Sequence, residues 1–281
     1  MKGHDFKLYG WIGIFLILLA EAGVALQYRF SIAHRISVWT TPLCWWGYIF
    51  LLDAVIFKIK GNSLICSRRK NFLLQLPLSV IIWLLFEVYN LHLANWKYVG
   101  LPTHPLELSL GTGLSFATIM PGLFLTAELL DTLQVFSKFR IAKLKVTNRI
   151  IYSGIVLGFV FIMAPLLISG DYAKYLFGLV WTGFVMLLEP IVYSSNGESL
   201  LRDLENGVLK RILNLFAAGF ICGVLWEFWN YWAASKWVYT APFMQDIKIF
   251  EMPVVGFLGF GPFAWEYFVM YNFSRLLFKR D

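Results

Sequence analysis

The chain has 281 residues, of which 59% are hydrophobic, 18% aromatic and only 15% charged, with a net charge of +7. That composition, with a mean hydropathy of +0.66, excludes an ordinary soluble globular domain. Nucleic acid is not the expected partner either, because the basic residues are gathered between apolar stretches rather than on one element.

Spanning a bilayer takes roughly 20 mostly apolar residues, since backbone groups in lipid must be satisfied within a helix. Eight stretches meet that length: 9–26, 40–57, 72–94, 108–131, 150–169, 174–194, 211–234 and 251–274. The first follows Lys2 and Lys7 and carries AEA at 20–22, which loosely fits a signal-peptide cleavage pattern. It is read as a retained helix because the internal repeat described below needs it. Pro77, Pro121, Pro165, Pro190 and Pro262 fall inside spans, where neighbouring helices can accommodate a kink. Gly154–Gly158 and Gly219–Gly223 give GxxxG spacing, read as close helix packing, and GFLGFG at 256–261 is read the same way.

With the N-terminus inside, 18 of the 24 Lys and Arg fall in cytoplasmic segments, which places both termini there. The runs RRK at 68–70 and KFRIAKLK at 138–145 are then topology signals. Short loops and the absence of outer glycosylation sequons suit a bacterial inner (cytoplasmic) membrane. Cys44, Cys66 and Cys222 have neither disulfide-framework nor metal spacing.

The chain also matches itself. WWGYIFLLDAVIFKIKGNSL at 45–64 lies over WTGFVMLLEPIVYSSNGESL at 181–200 with 7 of 20 positions identical, and Asp53 meets Glu189. Further on, LLFEVYNLHLANWKY at 84–98 lies over VLWEFWNYWAASKWVY at 224–239 with one inserted residue, so that Glu87 meets Glu227, Asn90 meets Asn230, Trp96 meets Trp237 and Tyr98 meets Tyr239. The expected fold is an all-α integral membrane protein of eight transmembrane helices, built as two parallel four-helix repeats, 1–140 and 141–281. An even number of crossings gives both copies the same orientation.

Glu87 and Glu227 lie in the last turns before the outer surface, and an intramembrane carboxylate is costly enough to suggest function. Two readings stand for them. One is a polar clamp to Asn90, Asn230 or the indoles of Trp83, Trp226 or Trp229. The other is a shared site in which Trp226, Trp229, Trp96, Trp237, Tyr98 and Tyr239 bind substrate with Asn90 and Asn230. Trp96, Trp232, Trp237 and Tyr239 also fit an interfacial aromatic belt. Deeper, Asp53, Glu189, Glu128 and Glu266 form candidates for a proton path, with Asp53 and Glu189 expected to pair with bases such as Lys58 or Arg202. Pro262 is expected to open backbone beside Glu266. Glu107 and Glu251 are read as helix starts, where a negative charge suits the helix dipole. His92 has no counterpart in the second copy and reads as interfacial. No metal site, nucleotide motif or cofactor motif is present.

An acidic residue, nine or ten positions, aromatic-x-Tyr, then Pro and Glu opening the next helix (Glu87, Trp96-Lys97-Tyr98, Pro105-Leu106-Glu107) resembles the duplicated membrane-embedded lycopene cyclase domain. That resemblance implies protonation of a polyene end by a carboxylic acid, with Glu87, Glu107, Glu227 and Glu251 as acids. The family's paired glutamates after proline stand here as Glu107-Leu108, and the second copy reads Glu251-Met252-Pro253. Four helices per repeat also exceed the three of that domain. Three function classes remain open: an enzyme or binder for an isoprenoid or other lipophilic ligand in the outer half of the bilayer, a proton-coupled transporter or channel, and a structural subunit with a membrane-protein partner or a second copy of itself. The first expects open volume at membrane level; the last expects a filled core.

Overall fold

The computed structural model describes residues 4–278. The described residues are mostly helical, with two small two-stranded pairings. In chain order they are α1 (Leu8–Leu26), α2 (Ser31–Val38), α3 (Thr40–Lys60), α4 (Leu64–Ser67), α5 (Arg69–Leu93), β1 (Trp96–Val99), α6 (Pro105–Phe116) and α7 (Ile119–Thr132). After a connection come α8 (Asn148–Leu167), α9 (Gly170–Ala173), α10 (Phe177–Ser194), α11 (Leu200–Glu205) and α12 (Lys210–Trp232). The chain closes with β2 (Lys236–Tyr239), β3 (Lys248–Ile249), β4 (Met252–Pro253), a 3-10 turn (Val254–Gly259) and α13 (Phe260–Phe278). Seven of these stretches are long and apolar enough to cross a membrane: α1, α3, α5, α6 joined to α7, α8, α10 and α12.

The stretch expected at 108–131 is broken between Phe116 and Ile119. Pro121 has no N–H to donate back to Ala117, so one rung of the ladder is missing at that place. Ser79 of α5 bridges the gap: its hydroxyl donates to Phe116 O at 2.5 Å and accepts from Met120 N at 3.0 Å. A side chain from a neighbour thus replaces backbone bonds that lipid could not supply.

The stretch expected at 251–274 starts late. Its first residues form β4 and the 3-10 turn, and the helix begins only at Phe260. Pro262 therefore sits in the first helical turn, where a missing N–H costs nothing, and it does not open a helix beside Glu266. α13 carries Glu266, Tyr267, Tyr271 and Asn272 among its buried residues, which makes it more polar than the seven apolar helices and yet mostly enclosed. It packs against α10 and α12, and α12 in turn packs on α7.

Helix pairs approach closely where glycine permits. α1 lies along α3 at Gly13, whose added Cβ would stand 2.5 Å from Gly47 O. α8 lies along α10 in the same way, where a Cβ on Gly158 would collide with the backbone of Leu187 and approach Gly183 O to 2.8 Å. The GxxxG reading holds for Gly219 and Gly223 as well, both of which face Phe260 at the start of α13.

At the cytoplasmic ends expected from charge, two carboxylates do the same local task with the same spacing. Asp53 accepts from Ser63 Oγ at 2.7 Å and Ile65 N at 2.8 Å, and Glu189 accepts from Ser199 Oγ at 2.5 Å and Leu201 N at 2.8 Å. Each fixes the start of the short helix that follows, α4 or α11. The expected pairing with Lys58 or Arg202 is absent among the described residues, because the freed N–H groups of a helix start lie nearer than any base. Asp53 also accepts from Tyr9 Oη at 2.6 Å, which ties α1 to α3.

Replacing Gly158 by Leu should lower the thermal midpoint in detergent by the equivalent of about 2 kcal/mol, since backbone cannot move aside as a side chain can. Gly113→Ala, where an added Cβ meets nothing within 4 Å, should change the midpoint little or raise it slightly.

Candidate functional site

The C-terminal ends of α5 and α12 each run on into a strand, and the two strands pair. β1 and β2 are antiparallel, with Trp96 opposite Tyr239 and Tyr98 opposite Trp237. Residues directly opposite share a face of the ribbon, so four aromatic side chains point one way. Asn90 anchors the first strand, donating to Trp96 O at 2.9 Å and accepting from Asn95 N at 2.8 Å. Asn230 anchors the second, donating to Trp237 O at 2.8 Å and accepting from Trp237 N at 2.9 Å. Both asparagines thus serve the backbone of the ribbon.

The aromatic face of the ribbon meets the two glutamates. Glu87 Oε1 accepts from Trp83 Nε1 at 2.8 Å, Trp96 Nε1 at 3.2 Å and Tyr98 Oη at 2.5 Å. Glu227 Oε1 accepts from Tyr239 Oη at 2.8 Å and Trp237 Nε1 at 3.4 Å, and Trp237 Nε1 also reaches Tyr239 Oη at 3.0 Å. Trp96, Trp237 and Tyr239 are therefore turned inward as donors instead of forming an interfacial belt, because a carboxylate without donors in an apolar bundle is far more costly than a buried indole. Of the clamp partners considered from the sequence, the Trp83 indole is the one observed.

Beneath the ribbon lies a cavity of about 730 Å³. Its walls come from both halves: Trp45 and Trp83 with α6 on one side, Trp181, Trp226 and the 3-10 turn on the other. Apolar and aromatic side chains dominate, and Glu87, Glu227, Trp96, Tyr98, Trp237 and Tyr239 all border it. The two carboxylates differ in access. Glu227 is fully buried, with Oε2 sealed and unpartnered among the described residues. Glu87 is half-buried, and its Oε2 makes no hydrogen bond among the described residues while Oε1 holds three donors.

Other expected residues lie elsewhere. Trp229 packs on Trp45 and donates to Glu21 of α1 at 2.9 Å. Glu107 does stand in the first turn of α6 and accepts from Trp39 Nε1 at 3.2 Å. Glu251 does not start a helix: it precedes β4 and pairs with Lys236 at 2.5 Å. Glu128 is paired with Lys60 at 2.7 Å and Arg68 at 2.5 Å. Glu266 is fully buried with neither oxygen bonded among the described residues. None of Glu266, Glu128, Asp53 and Glu189 borders the cavity, and the described residues hold no cluster fit for a metal ion.

No protein-family model, curated protein or solved structure matches this chain.

Trp45, Trp181, Asn95, Lys236 and Glu21 were not singled out from the sequence. Trp45 and Trp181 were identical positions of the duplication, which was signal enough. Glu21 was itself a charge within an apolar span.

Burial, then the adjacent carboxylate, raises the phenol of Tyr98 above its ordinary value, and the same causes raise Tyr239. A phenol with a raised folded value keeps its full contribution to stability below the unfolded value of about 10, and loses it as pH climbs beyond that. Stability should therefore fall above about pH 10, and Tyr239→Phe should flatten that fall while costing about 1–3 kcal/mol at neutral pH, read by thermal unfolding across pH.

Proposed function

We propose that this is a multi-pass membrane protein that binds, and through its accessible carboxyl group acts on, a lipophilic substrate in the outer half of the bilayer. The observation that carries this reading is the aromatic-walled cavity, with a glutamate whose second oxygen is free of partners among the described residues. A volume of about 730 Å³ is that of a site for a small hydrophobic molecule. It is not the filled core that a purely structural subunit would have. The transport reading is less well supported, since the inner carboxylates are engaged with helix starts or basic side chains, or sealed.

The same proposal includes the finer architecture: eight crossings, with α13 as the last, two parallel repeats divided near residue 140, both termini cytoplasmic, and a bacterial inner membrane. Its support is the recurrence of local contacts: the matched bonds of Asp53 and Glu189, those of Asn90 and Asn230, and the paired glycine approaches of α1 with α3 and α8 with α10. In this arrangement the ribbon is where the repeats meet on the outer side, and the substrate lies between them.

Glu87 is the group that touches the substrate, and Glu227 is a positioning residue that holds Tyr239 and the ribbon. Protonated, Glu87 is an acid toward a double bond, as the cyclase resemblance implies; ionised, it is the counter-charge for a cation.

Glu87→Gln should change the lipophilic species that co-purify with the protein, identified by mass spectrometry, while the thermal midpoint stays within about 1 kcal/mol of wild type. Glu227→Gln should lower the midpoint more and leave the co-purifying species unchanged in kind. A profile that Glu87→Gln leaves untouched would overturn the assignment.

A further inference from the structure

The charge balance of the cavity narrows the class of occupant. Its border carries two carboxyl groups, Glu87 and Glu227, and one basic side chain, Lys236. Lys236 is already committed: it lies 2.5 Å from Glu251, donates to Tyr231 O at 3.2 Å and sits over the Tyr231 ring. No Lys, Arg or His pairs with Glu87 among the described residues. A phosphate or carboxylate end group would find no free cation here and would face Glu87 Oε2 instead.

The rings around that oxygen suit the opposite charge. Trp83 and Trp96 stand 5.8 Å apart, inclined at 33°, and both donate their N–H to Glu87 Oε1. Their N–H groups are thereby directed at the carboxylate, and both residues also border the cavity. Indole faces attract cations, the more so where water is excluded, and a nearby carboxylate acts in the same direction. The rest of the wall, apolar and aromatic, suits a hydrocarbon chain.

We propose that the occupant is an amphiphile with a cationic end group, an amine or quaternary ammonium, seated at Glu87 beside Trp83 and Trp96, with its chain along the apolar wall. This rests on the reading of the cavity as a lipophile site and names the substrate class.

The test uses the full-length protein in maltoside micelles and three probes of equal chain length: dodecyltrimethylammonium, dodecanol and dodecyl phosphate. Binding is followed by tryptophan fluorescence and by thermal shift. Saturable binding of the ammonium probe is expected, roughly 10-fold tighter than either of the others, and Glu87→Gln should remove that preference. Trp96→Leu should weaken the ammonium probe more than dodecanol. Equal affinities for the three probes in wild type would overturn the cationic end group and leave the lipophile site standing. Tighter binding of dodecyl phosphate would overturn it as well, and so would an ammonium preference that survives Glu87→Gln. Binding of no probe would overturn both this inference and the lipophile site beneath it. Should Glu87→Gln fail to fold, the wild-type rank order of the three probes decides.

Discussion

Two carboxyl groups in an apolar bundle must be met by hydrogen-bond donors, and the end of the bundle where α5 and α12 finish is arranged around that need. The donors are aromatic N–H and O–H groups, and most of them ride on β1 and β2. Those strands pair only with each other among the described residues, and the pairing joins α5 to α12 at their C-terminal ends. The need of Glu87 and Glu227 for donors thus accounts for the aromatic strands, the strands pair into the ribbon, and the ribbon covers one side of the cavity. Asn90 and Asn230 fix the exit of each strand from its helix, so that register and donor position are set together.

Much of this was legible in the sequence because it repeats. The two-copy pattern identified the glutamates, the asparagines and the aromatic-x-Tyr strands as a set, and the structure does bring them together at one place. Apolar run length also located the spans, since lipid leaves the backbone little choice. What the sequence hid was decided by tertiary partners. The break before Ile119 depends on a hydroxyl of α5 some 40 residues away, and the late start of α13 follows from Met252 and Pro253 pairing with β3. The roles of Asp53 and Glu189 were misread because the sequence shows nearby bases plainly and a helix start only faintly.

The two glutamates also illustrate how equal residues acquire unequal roles from unequal neighbours. In the first copy the residue four before the glutamate is Trp83, which donates to it and borders the cavity. In the second the corresponding residue is Gly223, and Phe260 occupies the space beside it. One carboxyl group keeps an open oxygen and the other is sealed. Two matched glutamates thus differ in access because their neighbours differ.

The break between α6 and α7 has a mechanical consequence. α7 packs in the bundle, while α6 presents Leu108, Gly111, Thr112 and Ser115 to the cavity and is held at its inner end by Ser79 and by a bond from Trp46 to Leu114 O at 3.2 Å. At its other end Glu107 accepts from Trp39, so the half-helix is a cavity wall tied at both ends by side-chain hydrogen bonds. That wall rests on side-chain hydrogen bonds rather than on interlocked glycine backbones, so α6 can shift without disturbing the bonds that hold the ribbon together.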